Sequence, residues 1–414
     1  MAVACGAAAQ EDGPPRPCAQ GLEPRTDSSF WNGWGADAAN TRSQPAALAG
    51  LAAADVPKLA PVWKLRLPGV NAMTSQAVLV GGRLYLGSAD GTVYALHAAT
   101  GCVYWTFRAD APVRTALSMG TNRHAHPALF FGDDRAQAYS IDAKTGKPVW
   151  KTKVDERAGA SIAGSPVLYG NRLYVPVAGG DGRGSVVALD NESGKAEWKA
   201  ETGGAARSAP ALDVKKRLLY VSAGGILALE MDTGRVAWTK AAPAKGPGVE
   251  IPPVLHRLDD GNRLLLVAHA PDSVLALNPD AGGRQVWATR TGSVRAGMAV
   301  GGGTVYAATS TGLVALRVRD GKKLWSAGSG EHAAAPVAIP GVVFSGSMDG
   351  KLWAFGERGG APVWSFETRS LPGGGSIHGS AAIVAQGMLV VQSGYGQPGG
   401  LPGNVVLAFA ATGR

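Results

Sequence analysis

The sequence alternates short apolar runs with turn residues, and ionisable side chains recur at the same place ahead of several of these runs. Four of them stand three residues ahead of the residue that starts an apolar run: Arg207, Glu250, Arg295 and His378. Guanidinium groups bind carboxylates and phosphates through paired hydrogen bonds, and Glu and His are common general acids and bases. The spacing therefore predicts that these groups face one another, with Glu250 and His378 as acid–base residues.

Two further candidates lie one residue away from this position in their own repeats. Arg114 follows the equivalent residue, Val113, and His332 precedes the equivalent residue, Ala333. Together with the two arginines above, they complete a predicted set of ligand-binding residues for a small polar or anionic molecule. The alternative is that the charged groups pair with one another around a water-filled channel.

The elements that must position these residues are indicated by a repeat that ends in tryptophan. Segment 138–150, AYSIDAKTGKPVW, shows its form, in which an Asp-x-x-Thr-Gly turn joins a short strand to the strand that carries the tryptophan. The equivalent tryptophans are Trp105, Trp150, Trp198, Trp238, Trp287, Trp325 and Trp364. They lie 38 to 49 residues apart, which is the period of propeller blades built from one small antiparallel sheet each.

The two ends of the chain each hold part of one repeat. The last copy, residues 405–414, stops before its tryptophan strand, whereas a strand containing Trp63 has no repeat ahead of it. Pairing these ends would complete eight blades and leave no open sheet edge at the junction. We therefore predict an all-β fold, an eight-bladed β-propeller of four-stranded antiparallel blades over residues 30–414, preceded by an irregular tail over residues 1–29.

Composition excludes some classes of partner. The net charge is +9 and the pI is about 9.5, but Lys and Arg are scattered and match no nucleic-acid-binding motif. We therefore expect no nucleic-acid partner. The apolar runs are four to eight residues long, well below the roughly 20 residues that cross a bilayer, so no transmembrane segment is predicted.

The three cysteines, Cys5, Cys18 and Cys102, have none of the spacings of zinc, c-type haem or dithiol redox sites. One disulfide can join Cys102 to the N-terminal tail, with Cys18 as the preferred partner, although the sequence leaves the pairing open. The residues AVAC that end at Cys5 resemble the end of a lipoprotein signal without the apolar stretch that normally precedes it. We expect a periplasmic or secreted protein, and a lipid anchor at Cys5 is an open alternative.

The repeat Ala-Leu-Asp-x-x-Thr-Gly-x-x-x-Trp resembles that of pyrroloquinoline-quinone (PQQ) type propellers. Segment 30–42, FWNGWGADAANTR, resembles the N-terminal motif of quinoprotein alcohol dehydrogenases. Four segments resemble polyvinyl-alcohol dehydrogenases in particular: 87–94 (GSADGTVY), 131–135 (FGDDR), 341–347 (GVVFSGS) and 393–405 (SGYGQPGGLPGNV). The resemblance covers nearly the whole chain after the tail, and it implies the same propeller fold.

The resemblance also implies a PQQ cofactor in the axial channel, a bound Ca²⁺ and a carboxylate base. Family members place two adjacent cysteines above the quinone, an acidic calcium ligand in a blade-three insertion, an Asn ligand in blade four and an Asp base in blade five. This sequence has no adjacent cysteines, only the short loop 178–184 in blade three, no Asn in segment 220–227, and no Asp in segment 248–253. Arg114 does match a family position near the cofactor.

Three functions follow from these observations. The missing family residues favour a propeller that has lost PQQ and calcium binding. Such a propeller would act through its charged channel, either as a binding module or as a repurposed acid–base enzyme. One alternative is an atypical PQQ-dependent alcohol dehydrogenase, in which case both cofactors are retained. The other is a protein-interaction scaffold, with a protein partner, like the outer-membrane assembly lipoprotein that shares this propeller.

Overall fold

The chain folds into eight four-stranded antiparallel sheets arranged as blades around a central axis, as the tryptophan repeat predicts. Among the residues that the structure describes, helical structure is limited to short turns at Ala46–Ala49, Ala53–Lys58, Pro279–Ala281 and Thr368–Ser370. Within the described part of the chain, no helix is long and apolar enough to cross a membrane. The computed structural model describes residues 15–19, 30–121, 126–241, 250–269, 271–379 and 382–412. The predicted lipid-anchor motif at Cys5 lies outside them.

The first four blades follow one another along the chain, each running from its inner strand to its outer one. Blade 1 holds Val78–Val80, Arg83–Gly87, Thr92–His97 and Val103–Arg108. Blade 2 holds Ser118–Thr121, Pro127–Gly132, Gln137–Asp142 and Pro148–Lys153. Blade 3 holds Val167–Tyr169, Arg172–Ala178, Gly184–Asp190 and Ala196–Glu201. Blade 4 holds Ala211–Asp213, Leu218–Ser222, Gly225–Glu230 and Val236–Ala241.

The remaining blades continue this order until the last, which borrows its outer strand from the start of the chain. Blade 5 holds Val254–Arg257, Arg263–His269, Ser273–Asn278 and Arg284–Arg290. Blade 6 holds Val294–Gly301, Thr304–Thr309, Gly312–Arg317 and Lys323–Ala327. Blade 7 holds Val337–Ile339, Val342–Gly346, Lys351–Gly356 and Pro362–Glu367. Blade 8 holds Ala382–Ala385, Met388–Ser393, Val405–Ala411 and Leu59–Arg66, and the short strands Ala333–Ala334 and His378–Gly379 pair in parallel between blades 7 and 8.

The predicted closure of the ring is confirmed by the pairing of the two ends of the chain. Leu59–Arg66 runs antiparallel to Val405–Ala411, with Trp63 opposite Ala408. The strand near the start of the chain is therefore the fourth strand of blade 8. Because Val405–Ala411 pairs with Leu59–Arg66 on one side and with Met388–Ser393 on the other, the last strand of the chain is not left as an exposed edge.

The repeated tryptophans join each blade to the next. The indole nitrogens of seven of the eight donate to a backbone carbonyl of the following blade, whereas that of Trp238 has no such partner in the described structure. The donors Trp63, Trp105, Trp150, Trp198, Trp287, Trp325 and Trp364 bond, in that order, to the carbonyls of Ala98, Ala143, Asn191, Met231, Val318, Glu357 and Leu59. The tryptophans therefore have a structural role, because their rings pack between blades and their N–H groups find acceptors there, as buried indoles usually do.

The turn after the third strand explains why the repeat carries Asp, Thr and Gly. In blade 2 the Asp142 carboxylate accepts hydrogen bonds from the backbone and side chain of Thr145. Gly146 has a φ of +72°, and a Cβ there would lie 2.7 Å from the ring of Trp105. Only glycine satisfies both the left-handed backbone and the close packing of the neighbouring blade's tryptophan.

A segment ahead of the first blade binds the inner strands of seven blades. Residues 30–44, called here the axial segment, make backbone or side-chain hydrogen bonds to Leu79, Met119, Leu212, Leu255, Val300, Ala338 and Ala382, which belong to blades 1, 2, 4, 5, 6, 7 and 8. Farther towards the N-terminus, Cys18 forms a disulfide with Cys102, and Pro17 pairs with Val103 on the outer strand of blade 1. The preferred cysteine pairing is thus confirmed.

Candidate functional site

The residues ahead of the inner strands converge on a cavity of about 360 Å³ on the propeller axis, called here the funnel. Its polar lining includes the predicted residues Arg114, Arg207, Glu250, Arg295 and His378. The other lining residues are Trp34, Thr74, Ala163, Ser165, Ala209, Ile251, Pro252, Ala296 and Gly379. The structure therefore brings five predicted site residues together from separate blades, because equivalent positions of successive blades face one axis.

The floor of the funnel is an indole held in place by a buried arginine. Trp34 of the axial segment is 7% exposed and packs among small residues of the inner strands, including Ala209 and Ala335. The guanidinium of Arg42 lies 4.7 Å from the centre of a Trp34 ring, in the range of a cation–π contact. The same guanidinium donates to the carbonyls of Trp34, Pro336 and Ala382, so the floor is rigidly tied to the surrounding blades.

Two arginines of the funnel pair with carboxylates that were not predicted as site residues. Arg114 donates to the Asp134 carboxylate at 2.7 Å, and Arg295 lies 3.0 Å from Glu331. All four side chains are between 29% and 43% exposed. Such half-exposed ion pairs contribute little net stability, so their arginines can exchange a protein carboxylate for a ligand anion at small cost.

The third arginine pairs with a predicted partner. The Arg207 guanidinium and the Glu250 carboxylate are 3.7 Å apart, so the alternative in which charged groups neutralise one another holds for this pair. That distance exceeds the 2.7–3.2 Å of a formed hydrogen bond. The pair is therefore electrostatic and leaves donor positions of Arg207 available.

His378 stands at the side of the funnel against a tyrosine. Its ring stacks on Tyr395 with a 3.9 Å separation of ring centres, and its Nδ1 is buried without a hydrogen-bond partner in the described structure. Burial lowers the pKa of His378 from 6.5 to about 4. The imidazole is therefore neutral near pH 7, the form that can accept a proton from a ligand.

Two hydroxyl groups add to the polar lining. The Ser165 Oγ accepts a hydrogen bond from the backbone of Ala116. The Thr74 Oγ1 is buried and has no partner within the described structure. The funnel lining therefore contains two buried polar atoms without a hydrogen-bond partner in the described structure, the Thr74 Oγ1 and the His378 Nδ1. Such atoms usually indicate that a ligand or a water molecule completes the site.

The structure places His332 behind the wall of the funnel. The residue is fully buried, its Nδ1 lies 2.8 Å from the Ser345 hydroxyl, and its ring packs against Phe355. Burial lowers its pKa to about 4, and Asp349 opposes that shift. A residue beside the funnel-facing position alternates to the opposite face of the backbone. His332, although a predicted ligand-binding residue, is therefore not among the residues that line the funnel.

Four residues that shape the funnel escaped prediction: Trp34, Asp134, Glu331 and Tyr395. Trp34 lay in the segment that carried the family resemblance, which was a usable signal. Asp134 lies in segment 131–135, which carried part of the family resemblance, beside a turn formed by Asp133, whose carboxylate accepts hydrogen bonds from the backbone of Arg135 and Gln137. Tyr395 follows the second strand of blade 8, and nothing in its spacing relates it to the ring of repeat positions.

The lining does not fit the calcium ion that the resemblance implies. Calcium takes six to eight oxygen ligands, with several carboxylates among them. Across the ranges that the structure describes, no three His, Cys, Asp or Glu side chains are grouped so as to hold a metal ion. The carboxylate that lines the funnel, that of Glu250, already faces Arg207. The arginines, in contrast, suit the carboxylates of an organic ligand.

Sequence comparisons relate the chain to two kinds of protein. The family described as "Outer membrane protein assembly factor BamB" matches residues 49–181, 134–282 and 270–414. A polyvinylalcohol dehydrogenase of Pseudomonas sp. is 34% identical, over 93% of this chain and 77% of the relative. A polyvinylalcohol dehydrogenase of Sphingopyxis sp. (strain 113P3) is 30% identical over the same shares.

Comparison of structures supports the same fold. The quinohemoprotein alcohol dehydrogenase of Comamonas testosteroni superposes with a TM-score of 0.81 at 16% identity, covering 94% of this chain and 81% of that one. The alignment with the Pseudomonas relative spans 497 positions, whereas this chain has 414 residues. The aligned region of that relative therefore contains residues that have no counterpart in this chain.

Proposed function

This chain belongs to the polyvinylalcohol dehydrogenase family of PQQ-type eight-bladed propellers, and on that basis we propose that its funnel binds a small anionic ligand in place of a calcium–quinone pair. The observation that carries the proposal is the convergence of Arg114, Arg207 and Arg295 on one cavity. Each of these guanidinium groups pairs with a partly exposed carboxylate, so the funnel offers three positions at which a ligand anion can replace a protein carboxylate. The indole floor of Trp34 adds a flat apolar surface for the body of the ligand.

The ion pairs of these arginines support ligand exchange rather than permanent neutralisation. Each partner carboxylate is at least 29% exposed, so it remains well hydrated when an arginine turns towards a ligand. Exposed pairs of this kind are worth about 0–1 kcal/mol. A ligand carboxylate held by a bidentate guanidinium inside the cavity can therefore replace them.

If the bound ligand reacts, the funnel offers acid–base chemistry. His378 is neutral near pH 7 because burial lowers its pKa to about 4, so its imidazole is unprotonated and can accept a proton, although it is a weaker base than an exposed histidine. Glu250 stands in the same lining beside Arg207. The two groups are therefore the candidates for the general base and the general acid. His378→Gln is expected to abolish any such reaction while leaving ligand binding measurable.

An atypical PQQ-dependent alcohol dehydrogenase is the second candidate, because the relatives at 34% and 30% identity are polyvinylalcohol dehydrogenases. PQQ would supply a quinone that accepts the electrons of an alcohol. Arg114, Arg207 and Arg295 suit its carboxylates, and Trp34 suits its plane. The described residues do not supply a calcium site, which is the reason for ranking this function second.

A protein-interaction role is the third candidate, favoured by the match to the BamB family along residues 49–414.

For any of these roles, we infer that the protein works in an oxidising compartment such as the periplasm or the exterior. The disulfide between Cys18 and Cys102 supports that placement, because such bonds persist where thiols are not kept reduced.

Titration calorimetry with citrate, sulfate and benzenesulfonate tests the anion site. The wild-type protein is expected to bind at least one of them, and the double variant Arg207→Ala/Arg295→Ala is expected to bind at least tenfold more weakly. Arg358→Ala, at an exposed position in a blade 7 turn, controls for the loss of positive charge. Absence of binding by all three anions, or equal affinity in the double variant, would overturn the proposal.

Reconstitution separates the first two candidates. The protein is incubated with PQQ and Ca²⁺, desalted, and assayed for dye reduction with ethanol and with polyvinyl alcohol. We expect no retained quinone spectrum and no turnover. A retained spectrum with turnover would instead establish the dehydrogenase and remove the first candidate.

A further inference from the structure

Residues 15–19, called here the tail strand, lie along the outer strand of blade 1 as a fifth strand. The backbone N–H of Val103 donates to the carbonyl of Arg16, and the backbone N–H of Cys18 donates to the carbonyl of Val103. The disulfide between Cys18 and Cys102 joins the two strands at the same place. Within the described residues, blade 1 is the one blade whose outer strand carries such a bridge.

The tail strand closes the edge of blade 1 to further pairing. Arg16 and Cys18 direct their bonding groups towards Val103, so Pro17 between them has its backbone nitrogen and carbonyl on the outer side. Proline has no N–H group, and this outer side therefore cannot continue the ladder of hydrogen bonds. Without the tail strand, the N–H and carbonyl of Val103 would form an open edge of the kind that pairs with other chains.

The described contacts of the tail strand are too few to hold it without the disulfide. Arg16, Pro17 and Ala19 are exposed, so the strand buries little apolar surface. Its two backbone hydrogen bonds to Val103 return less free energy than the ordering of its backbone costs. The disulfide reduces that cost because it keeps the segment beside the blade. The order of the tail strand therefore depends on the disulfide.

A hydrogen bond in the turn of blade 1 points at the disulfide sulfur. In blades 2 and 3 the turn hydroxyl, of Thr145 or Ser193, donates to the carboxylate that begins the turn. In blade 1 His97 stands in place of that carboxylate. Its Nδ1 lies 3.0 Å from the Thr100 hydroxyl, which donates to the Cys102 Sγ at 3.3 Å. Because a hydroxyl has one proton to donate, the imidazole is the donor to Thr100. The turn is thus arranged to stabilise negative charge on the sulfur of Cys102.

We propose that the disulfide between Cys18 and Cys102 is a redox latch, which a dithiol reductant opens to release the tail strand from blade 1. A thiolate of the reductant attacks the Cys18 Sγ, and the electron pair of the S–S bond leaves with Cys102, whose thiolate the Thr100 hydroxyl stabilises. The second thiol of the reductant then displaces Cys18 from the mixed disulfide. The reductant is thereby oxidised to a disulfide, and its two thiol protons pass to Cys18 and Cys102. This latch is independent of the proposed anion site.

Hydrogen exchange of the intact chain tests the release of the tail strand. Every protein carries Cys5→Ser, so that Cys18 and Cys102 are the cysteines that exchange. After reduction with dithiothreitol, the Val103 amide is expected to exchange about tenfold faster or more, and Cys18→Ser should show the same without reductant. Ala196 stands at the equivalent position of blade 3, and its amide should exchange at one rate in all these proteins.

Two results would overturn the latch. The first is continued protection of the Val103 amide in the reduced protein and in Cys18→Ser, because the tail strand would then stay in place without the disulfide. The second is faster exchange in the inner strands of every blade, because the disulfide would then stabilise the whole ring and not the tail strand.

The rate of reduction by dithiothreitol, followed by alkylation of the released thiols and mass spectrometry, tests the turn. His97→Asp restores the carboxylate of the other turns and draws the Thr100 hydroxyl away from the sulfur, so reduction is expected to be about threefold slower or more. Thr100→Val should slow it as well, whereas Thr100→Ser keeps the hydroxyl and should keep the rate. Asp142→His makes the matched change in blade 2 and should leave the rate unaltered. Equal rates in His97→Asp and the wild-type protein would overturn the role of His97 and Thr100.

Discussion

The carboxylate of Glu250 lies 3.7 Å from the guanidinium of Arg207, across the boundary between blades 5 and 4. Both side chains are about half exposed, at 53% and 45%, so the pair is weak. Glu250 nevertheless competes with any anion that enters the funnel. Glu250→Gln is therefore expected to strengthen benzenesulfonate binding about threefold to tenfold, measured by titration calorimetry.

A matched change elsewhere separates this local effect from net charge. Glu156→Gln removes the same charge from an exposed position outside the funnel and is expected to leave affinity within twofold. Equal gains in the two variants would mean that long-range charge, and not the pair with Arg207, controls binding.

Two of the repeated tryptophans differ in whether the indole makes a hydrogen bond to the next blade, so comparing them measures the contribution of that bond. The indole of Trp364 donates to the Leu59 carbonyl and so links blade 7 to the strand that closes the ring. The indole nitrogen of Trp238 is buried without a partner in the described structure. Substitution by Phe removes the hydrogen bond only in the first case. We expect Trp364→Phe to lower the free energy of unfolding by about 1 kcal/mol more than Trp238→Phe.

Urea denaturation of both variants measures that difference. Trp364 contacts the rings of Phe366 and Phe409, and Trp238 contacts the ring of Tyr220. Because both variants replace an indole by a phenyl ring, part of the loss of packing is common to the two. If Trp238→Phe proves as destabilising as Trp364→Phe, the hydrogen bonds between blades contribute nothing beyond the packing of the rings.

The architecture was predictable because its information is periodic. Each tryptophan repeats the same local physics, and Trp63 could be assigned to the final blade since that blade otherwise lacked a strand. The convergence of Arg207, Glu250 and Arg295 followed from the same period. Equivalent positions of successive blades must face a common axis, whatever side chains they carry.

What surrounds those residues was not predictable, because it depends on loops without a period. Glu331 and Asp134 contact the lining residues Arg295 and Arg114 from connections between strands, and Tyr395 contacts His378 from the segment after the second strand of blade 8. For His332, a shift of one residue along an extended backbone decides which face the side chain occupies. The sequence placed it near the funnel, whereas the structure directs it into the wall.

The buried imidazole of His332 makes stability depend on pH. Its folded-state pKa of about 4, lowered mainly by burial, lies below the value of about 6.5 that an exposed imidazole has when the chain unfolds. As the pH falls from 6.5 to 4, the unfolded chain takes up a proton that the folded chain does not. The free energy of unfolding is therefore expected to fall over this window, with a contribution of up to roughly 3 kcal/mol from this residue.

His332→Gln isolates that contribution. Glutamine can still bond to the Ser345 hydroxyl but does not titrate, so the variant is expected to show a smaller loss of stability between pH 6.5 and 4 than the wild-type protein. His378 shifts in the same direction, which is why the difference between the two proteins, and not the total slope, is the quantity to measure. Identical slopes would contradict the assignment.

Arg42 is the residue on which the floor of the funnel depends most. Its fully buried guanidinium donates to carbonyls in the axial segment, next to blade 7 and in blade 8, and it faces the rings of Trp31 and Trp34. Arg42→Met fills a similar volume but leaves those carbonyls without a donor. We expect a loss of about 3–5 kcal/mol in the free energy of unfolding, measured by urea denaturation, whereas the exposed Arg183→Met should change it by less than about 0.5 kcal/mol. Because Trp34 then loses its stacked partner, benzenesulfonate affinity should fall as well in conditions where the variant remains folded. A stable variant with unchanged affinity would show that the inner strands hold the floor without this arginine.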